Sequence, residues 1–264
     1  PDYTTNSRNW STTPRPAAST FKSFATVAGL RNGYSLDSTL KGDTFTPRGE
    51  GVPVRNEFSE QYGDVTLRKA VAESINTAFV DMTESMNNGP AAVIKAANDA
   101  GAPTGAGWDA NNRIALGAAE VSPLNMANAY ASLADSGKRK ETHFVAKVLD
   151  RNGNTVYEAK NEATQAIEEN VAANVTDALT SVVEEGTGAK ASQLNRPVAG
   201  KTGTNGVDDT ITSAWFVGYT RQISTAVMYV AGDSGNENLD AYKKPGDKTF
   251  FGSGYPLTTW VEYM

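Results

Sequence analysis

The chain has no cysteine and a single histidine among its 264 residues. The first absence excludes disulfides, thiolate metal sites and a cysteine nucleophile, and it suits many compartments, the outside of a bacterial cell included. The second leaves any Ser-His-Asp arrangement resting on His143 alone, which falls in a stretch that reads as a β-hairpin and is expected at a strand end on the surface. Positive charge is also short: 24 Lys and Arg face 30 Asp and Glu, the net charge is -6, and no basic cluster occurs. A nucleic-acid-binding face is thereby excluded as a partner surface. No apolar run approaches the ~20 residues that a membrane span needs, and no signal peptide opens the chain. The opening residues, PDYTTNSRNW, read as the interior of something longer, with the upstream part either in the same polypeptide or in a separate chain.

What is present is enough chain for one large or two modest domains with a full core. Phe21, Phe24, Val27 and Ala28 recur at helical spacing after Pro16, which predicts a helix beginning near Ser19. Residues 31–63 show no sustained period and read as irregular. Val71, Ile75, Phe79, Met82 and Met86 step by three or four, predicting one helix or two nearly collinear ones over 65–86, stopped by Asn87, Asn88 and Gly89. Further helices are predicted over 90–100 and over 123–134, the latter capped by Ser122, so the middle of the chain reads as all helix and loop. The run HFVAKVLDRNGNTVYEAK then alternates around Asn152-Gly153 and predicts a peripheral hairpin. A helix over 168–185 ends at Gly186 and Gly188; strands follow at 197–202, 213–219 and 223–231, and a last helix at 257–264. This segregation predicts an α+β fold: a mostly helical subdomain at about 31–140, and an antiparallel sheet built from about 1–30 and 141–264, backed by the first, late and terminal helices.

Three short elements carry chemistry. Ser19 and Lys22 stand at i and i+3 where a helix begins, so the lysine lies over the serine. The same spacing at Ser38 and Lys41 falls in a Gly- and Asp-rich loop without an apolar face. A serine needs a base, and a lysine serves if its pKa drops from about 10.4 by roughly three units, which costs about 4 kcal/mol. Burial, nearby cations and the positive end of a helix all act in that direction. The second element is Ser74 and Asn76 in AESINTAF, suited to proton transfer and to holding a substrate amide; Ser-x-Asn recurs at Ser7, Ser85 and Ser234, so it says little alone. The third is AGKTGTNG at a strand end, where Lys201 supplies charge, Thr202 and Thr204 supply hydroxyls for a carboxylate, and Gly203 lets an extended peptide lie along the strand.

Taken in this order, the elements resemble the Ser-x-x-Lys, Ser-x-Asn and Lys-Thr-Gly signature of penicillin-binding proteins and class A β-lactamases. RPAASTFKSF, ESINTAFV, LGAAEVSPLNMANAYASLADSG, EEGTGAKA and KTGTNGVDDTITSAWFVGYT each resemble a stretch of that family, and AWFVGYT is most similar to the bifunctional class A penicillin-binding proteins, in which a glycosyltransferase domain precedes the transpeptidase domain. Ala17 and Ala18 depart from the family's usual Pro-Gly before the nucleophile. The resemblance implies a β-lactamase/transpeptidase-like fold whose N-terminal strands lie outside this chain. It implies a D-Ala-D-Ala transpeptidase, with possible carboxypeptidase side activity, on the extracytoplasmic face of a bacterial membrane and anchored upstream. Its partners would be peptidoglycan stem peptides, as donor and amine acceptor, and β-lactam antibiotics, with no cofactor or metal. Ser19, Lys22, Ser74 and Lys201 would be catalytic, and Asn76, Thr202, Gly203 and Thr204 would bind substrate. The backbone amides of Ser19 and Thr204 would form the oxyanion hole. Two alternatives accompany this reading: a β-lactamase, whose Glu-x-x-Leu-Asn element is approached by Glu120, Leu124 and Asn125 with the spacing one residue too long, and a non-catalytic penicillin sensor or scaffold. Asp208, Asp209, Asp233 and Asp240 are expected to be solvated loop carboxylates and to hold no metal.

Overall fold

A computed structural model describes residues 8–207 and 210–264, so Asp208, Asp209 and the Ser7 instance of Ser-x-Asn lie outside the described residues. A two-residue strand, β1 (Arg15–Pro16), leads into a 3-10 turn over Ala18–Phe21 that continues directly as α1 (Lys22–Arg31). The nucleophile candidate therefore sits in the tight turn and the lysine opens the α-helix. Phe21, Phe24 and Val27 are buried as their spacing predicts, with Phe21 packed edge-on against both Phe24 and Trp108 at 5.2 Å.

The region read as irregular contains β2 (Thr39–Lys41), paired antiparallel with β3 (Asp64–Thr66) through a Leu40–Val65 register. This corrects the loop reading of Lys41, which ends β2, while Ser38 stays in the preceding loop: Leu40 is the one buried side chain of the strand, and three residues are too few to show alternation. After β3, α2 (Leu67–Ala72) and α3 (Asn76–Ser85) are separate helices, with the Thr66 hydroxyl capping the first. The break is at Ser74, whose φ of 60° lies in the left-handed region and cannot continue a right-handed helix. Next come α4 (Gly89–Ala100), β4 (Glu120–Val121) and α5 (Pro123–Ala134), the last capped by Ser122, whose hydroxyl accepts from the Asn125 amide. Pairing of β4 with β1 means that the middle of the chain is not all helix and loop.

The second half follows the expected order. Strands β5 (Lys138–Arg139) and β8 (Thr164–Gln165) pair at the base of the hairpin formed by β6 (Lys147–Leu149) and β7 (Thr155–Glu158). Every side chain of β6 and β7 is exposed, so the hairpin stands off the core, with His143 exposed on its flank. The amphipathic helix α6 (Glu169–Glu184) buries Val171, Val175, Leu179 and Val182. Then β9 (Ala199–Val207), β10 (Thr210–Tyr219) and β11 (Ser224–Tyr229) form an antiparallel sheet in the order β11-β10-β9, and α7 (Tyr255–Tyr263) closes the chain. Lys201 to Thr204 thus lie inside β9, not at a strand end, because Gly203 pairs with Trp215 and Thr204 with Ala214 well within the register.

Helix α6 packs on β9 and α7 packs on β10 and β11, as expected, and α5 also lies on β10 and β11. The first helix differs. Its 3-10 turn touches β9, while α1 itself runs into the helical block against α4 and α6. Ser19 is consequently at the seam between sheet and helices. The largest apolar cluster spans that seam, joining Phe21, Phe24, Phe79 and Met82 to Trp215 and Tyr219. Among the described residues no helix is long and apolar enough to cross a membrane.

Candidate active site

The first two elements deliver their side chains to one point through local backbone devices. Ala18 holds a positive φ of 51° beside Ser19 in the tight turn, and its amide donates to the Gly117 carbonyl at 2.9 Å. Gly117 cannot carry a side chain there, since a Cβ would stand 2.0 Å from the Ala18 carbonyl oxygen. The left-handed Ser74 turns its own carbonyl and hydroxyl toward the start of α1. Asn76, opening α3, is steadied by donating from Nδ2 to the Arg55 carbonyl at 3.2 Å.

Lys22 is fully buried, and its Nζ has four oxygen neighbours. They are Asn76 Oδ1 at 2.6 Å, the Ser74 carbonyl at 2.7 Å, Ser19 Oγ at 3.0 Å and Ser74 Oγ at 3.2 Å. The two nearest are carbonyl-type oxygens, which only accept. A neutral amine has two N–H donors and one lone pair, so those two contacts consume both donors and leave the lone pair facing two hydroxyls. Burial holds the Lys22 pKa well below the ordinary lysine value; the charge of Lys201 pushes it the same way, and Glu57 opposes both. Proton abstraction from Ser19 or Ser74 is therefore chemically available to this lysine.

Lys201 is likewise buried, and burial brings its pKa down to about 7 against a weaker opposing pull from Glu73. Its hydrogen bond runs to the Thr202 carbonyl at 3.3 Å and not to Ser74, so it meets the cluster through its charge on Lys22. The Thr202 hydroxyl pairs with that of Thr187 at 2.7 Å, which explains the contribution of the EEGTGAKA turn. The Thr204 hydroxyl accepts from the Gly252 amide at 3.0 Å. Gly203 also serves the packing of the strand: a Cβ there would lie 3.0 Å from Thr20 Cγ2 and 3.1 Å from the Ala17 carbonyl. The missing side chain lets β9 close on the 3-10 turn that carries Ser19.

Several contributors were not legible in the motifs. Asn56 is buried, and its Oδ1 accepts from both the amide and the hydroxyl of Thr77, which fixes the loop over α3. Glu57 follows it and acts electrostatically on Lys22. Gly252 and Thr187 lie about 48 and 15 residues from the threonines they touch, and nothing local marks them. The weighed β-lactamase base, Glu120, is paired in β4 opposite Pro16, and its charge is felt by Arg15 and not by Lys22. Asp240 corrects the expectation of a solvated carboxylate, since it accepts from the Phe250 amide at 2.6 Å and from the Thr249 hydroxyl at 3.1 Å.

Comparison with known proteins agrees with this geometry. The family model described as the penicillin binding protein transpeptidase domain matches residues 1–250. Penicillin-binding protein 1A of Mycobacterium tuberculosis is 34% identical over 93% of this chain and 31% of its own length. Its counterpart in Mycolicibacterium smegmatis is 33% identical over 94% of the chain and 33% of its own length. The chain thus spans about a third of the curated relatives it matches. Among solved structures, the PonA1 protein of Mycobacterium tuberculosis in complex with penicillin V superposes with a TM-score of 0.85 at 31% identity, over 96% of this chain and 69% of that one.

Proposed function

Since the chain belongs to the penicillin-binding protein transpeptidase family, we propose that it carries the acyl-transfer site of a peptidoglycan D,D-transpeptidase that joins stem peptides through a serine acyl-enzyme. The observation that carries this reading is the four-oxygen shell of Lys22, which makes the buried amine a base aimed at Ser19. In the proposed reaction the Lys22 lone pair takes the Ser19 proton, and Oγ attacks the carbonyl of the penultimate D-Ala of a donor stem. The amides of Ser19 and Thr204 stabilise the oxyanion. On collapse the C–N bond breaks, and the departing D-Ala nitrogen receives a proton from Ser74, which Lys22 replenishes. The positive charge of Lys201, while that amine is protonated, favours the neutral form of Lys22. An amine of a neighbouring stem then attacks the ester, returns its proton along the same path and frees Ser19.

Thr202 and Thr204 would hold the terminal carboxylate. Asn76 would hold the side-chain amide of the stem, although both of its polar atoms already have partners, Lys22 and Arg55. A β-lactam would acylate Ser19 and persist, since its leaving group stays tethered where the acceptor must enter. The open edge of β11 is where strands from an upstream part of the domain would add, whether in this polypeptide or a separate one. An upstream glycosyltransferase domain and an anchor at the extracytoplasmic membrane face complete the proposal, consistent with the third of each relative that this chain spans.

Intact mass measured over hours with benzylpenicillin tests the reading. A single stable adduct is expected on the wild type and none on Ser19→Ala, while Ser38→Ala should label normally. An adduct persisting on Ser19→Ala would place the nucleophile elsewhere.

A further inference from the structure

The Thr204 hydroxyl has one proton and two lone pairs. One lone pair accepts from the Gly252 amide, and among the described residues no acceptor takes its proton. A hydroxyl held in this way presents its O–H outward, toward whatever anion enters beside β9. The Gly252 amide can reach it only because residue 252 has no side chain: a Cβ would stand 2.4 Å from the Trp215 carbonyl and 2.5 Å from that of Gly203. Residues 249–252 therefore lie directly on the sheet beneath the third motif.

That segment is fixed at both ends. Upstream, the Asp240 carboxylate accepts from the Phe250 amide at 2.6 Å and from the Thr249 hydroxyl at 3.1 Å. The Phe250 ring is buried and stacks on Tyr255 at 4.2 Å. Downstream, the Gly252 carbonyl accepts from the Leu257 amide in the first turn of α7. At its tip Phe251 meets Phe58, 5.8 Å away on the loop that also carries Asn56 and Glu57.

We propose that residues 249–252 form a positioning strap, held by Asp240, that fixes the Thr204 hydroxyl as a donor to the carboxylate of the incoming acyl donor. The proposal rests on the transpeptidase reading of Thr204. Asp240 is a positioning residue: it touches neither substrate nor the reacting atoms, and it acts through Phe250, Gly252 and Thr204.

The test compares acylation of the full-length protein by benzylpenicillin and by its methyl ester, which lacks the carboxylate charge. Thr204→Val should lower the acid-to-ester rate ratio by about tenfold or more, the loss of a charge-assisted hydrogen bond. Asp240→Ala should lower the same ratio by about threefold or more as the donor is misaimed. Asp240→Asn, whose Oδ1 still accepts from residues 249 and 250, should keep the wild-type ratio. A general loss of stability would slow both ligands alike and leave the ratio unmoved. An unchanged ratio in Asp240→Ala with a collapsed one in Thr204→Val overturns the strap and leaves the site reading intact. An unchanged ratio in Thr204→Val overturns the carboxylate role of Thr204 and the strap with it. Should Asp240→Ala not fold, Thr249→Ala carries the test, and a wild-type ratio there also overturns the strap.

Discussion

Replacing Ser74 separates the strain at this position from its chemistry. Its φ of 60° places a non-glycine residue in the left-handed region at the break between α2 and α3, and among the described residues its hydroxyl has one partner, Lys22 Nζ at 3.2 Å. The left-handed conformation costs a residue with a Cβ about 1–2 kcal/mol. Glycine escapes that cost but loses about 0.5–1 kcal/mol more backbone entropy on folding. Ser74→Gly should therefore be more stable than Ser74→Ala by roughly 0.5–1 kcal/mol, which for a domain of this size is a melting difference of about 1–2 °C. Both variants lose the same hydroxyl and keep the carbonyl that accepts from Lys22. Both should acylate more slowly by about 10²–10⁴-fold if the hydroxyl transfers the proton. The assays are thermal melting of the full-length protein and the second-order rate of adduct formation with benzylpenicillin. Equal melting temperatures would refute the strain argument. A difference in rate of more than about tenfold between the two variants would show that backbone position, not the hydroxyl, governs the step.

The remaining predictions concern charge, packing and the hairpin. Lys201 titrates at about 7 in the folded protein against 10.5 for the ordinary side chain, so the unfolded chain binds more protons between those values. Its burial penalty is complete below pH 7 and is relieved as pH rises, so the stability of wild type relative to Lys201→Met should grow by about 1 kcal/mol per unit between pH 7 and 9 in denaturant titrations, and a flat difference would contradict the assigned burial. Acylation by wild type should fall as pH drops, because the lowered pKa of Lys22 keeps it neutral only above that value. Gly203→Ala pushes a Cβ to 3.0 Å from Thr20 and 3.1 Å from the Ala17 carbonyl, so the nucleophile turn must shift by a few tenths of an ångström. Acylation should slow by about tenfold or more with little change in melting, read on the same adduct assay. Excising residues 143–160 in favour of a short Gly-rich turn removes side chains that are almost all exposed. Melting should move by no more than about 2 °C and the acylation rate should not change.

The longer local elements of this protein were determined by sequence alone. Apolar spacing located α1 and α6, the prolines at 90 and 123 and the Ser122 cap located α4 and α5, Asn152-Gly153 announced the hairpin, and three stretches joined by short connections announced β9, β10 and β11, because each of these signals lies within a dozen residues. The residue types of the site were legible too, since Ser19, Lys22, Ser74, Asn76 and Lys201 stand in short motifs. Very short strands escaped because two or three residues show no period: β1 and β4 are defined by partners about a hundred residues apart. What only the tertiary structure decided is the state of those residues. Lys22 is held well below the ordinary lysine pKa by burial and the charge of Lys201 and meets the Ser74 carbonyl and Asn76, groups brought together from α1, the α2–α3 break, α3 and β9. The Thr204 hydroxyl accepts from the Gly252 amide, and Gly203 closes on Thr20. Protonation and hydroxyl direction depend on dielectric and on neighbours within about 3 Å, and these exist only once distant segments pack.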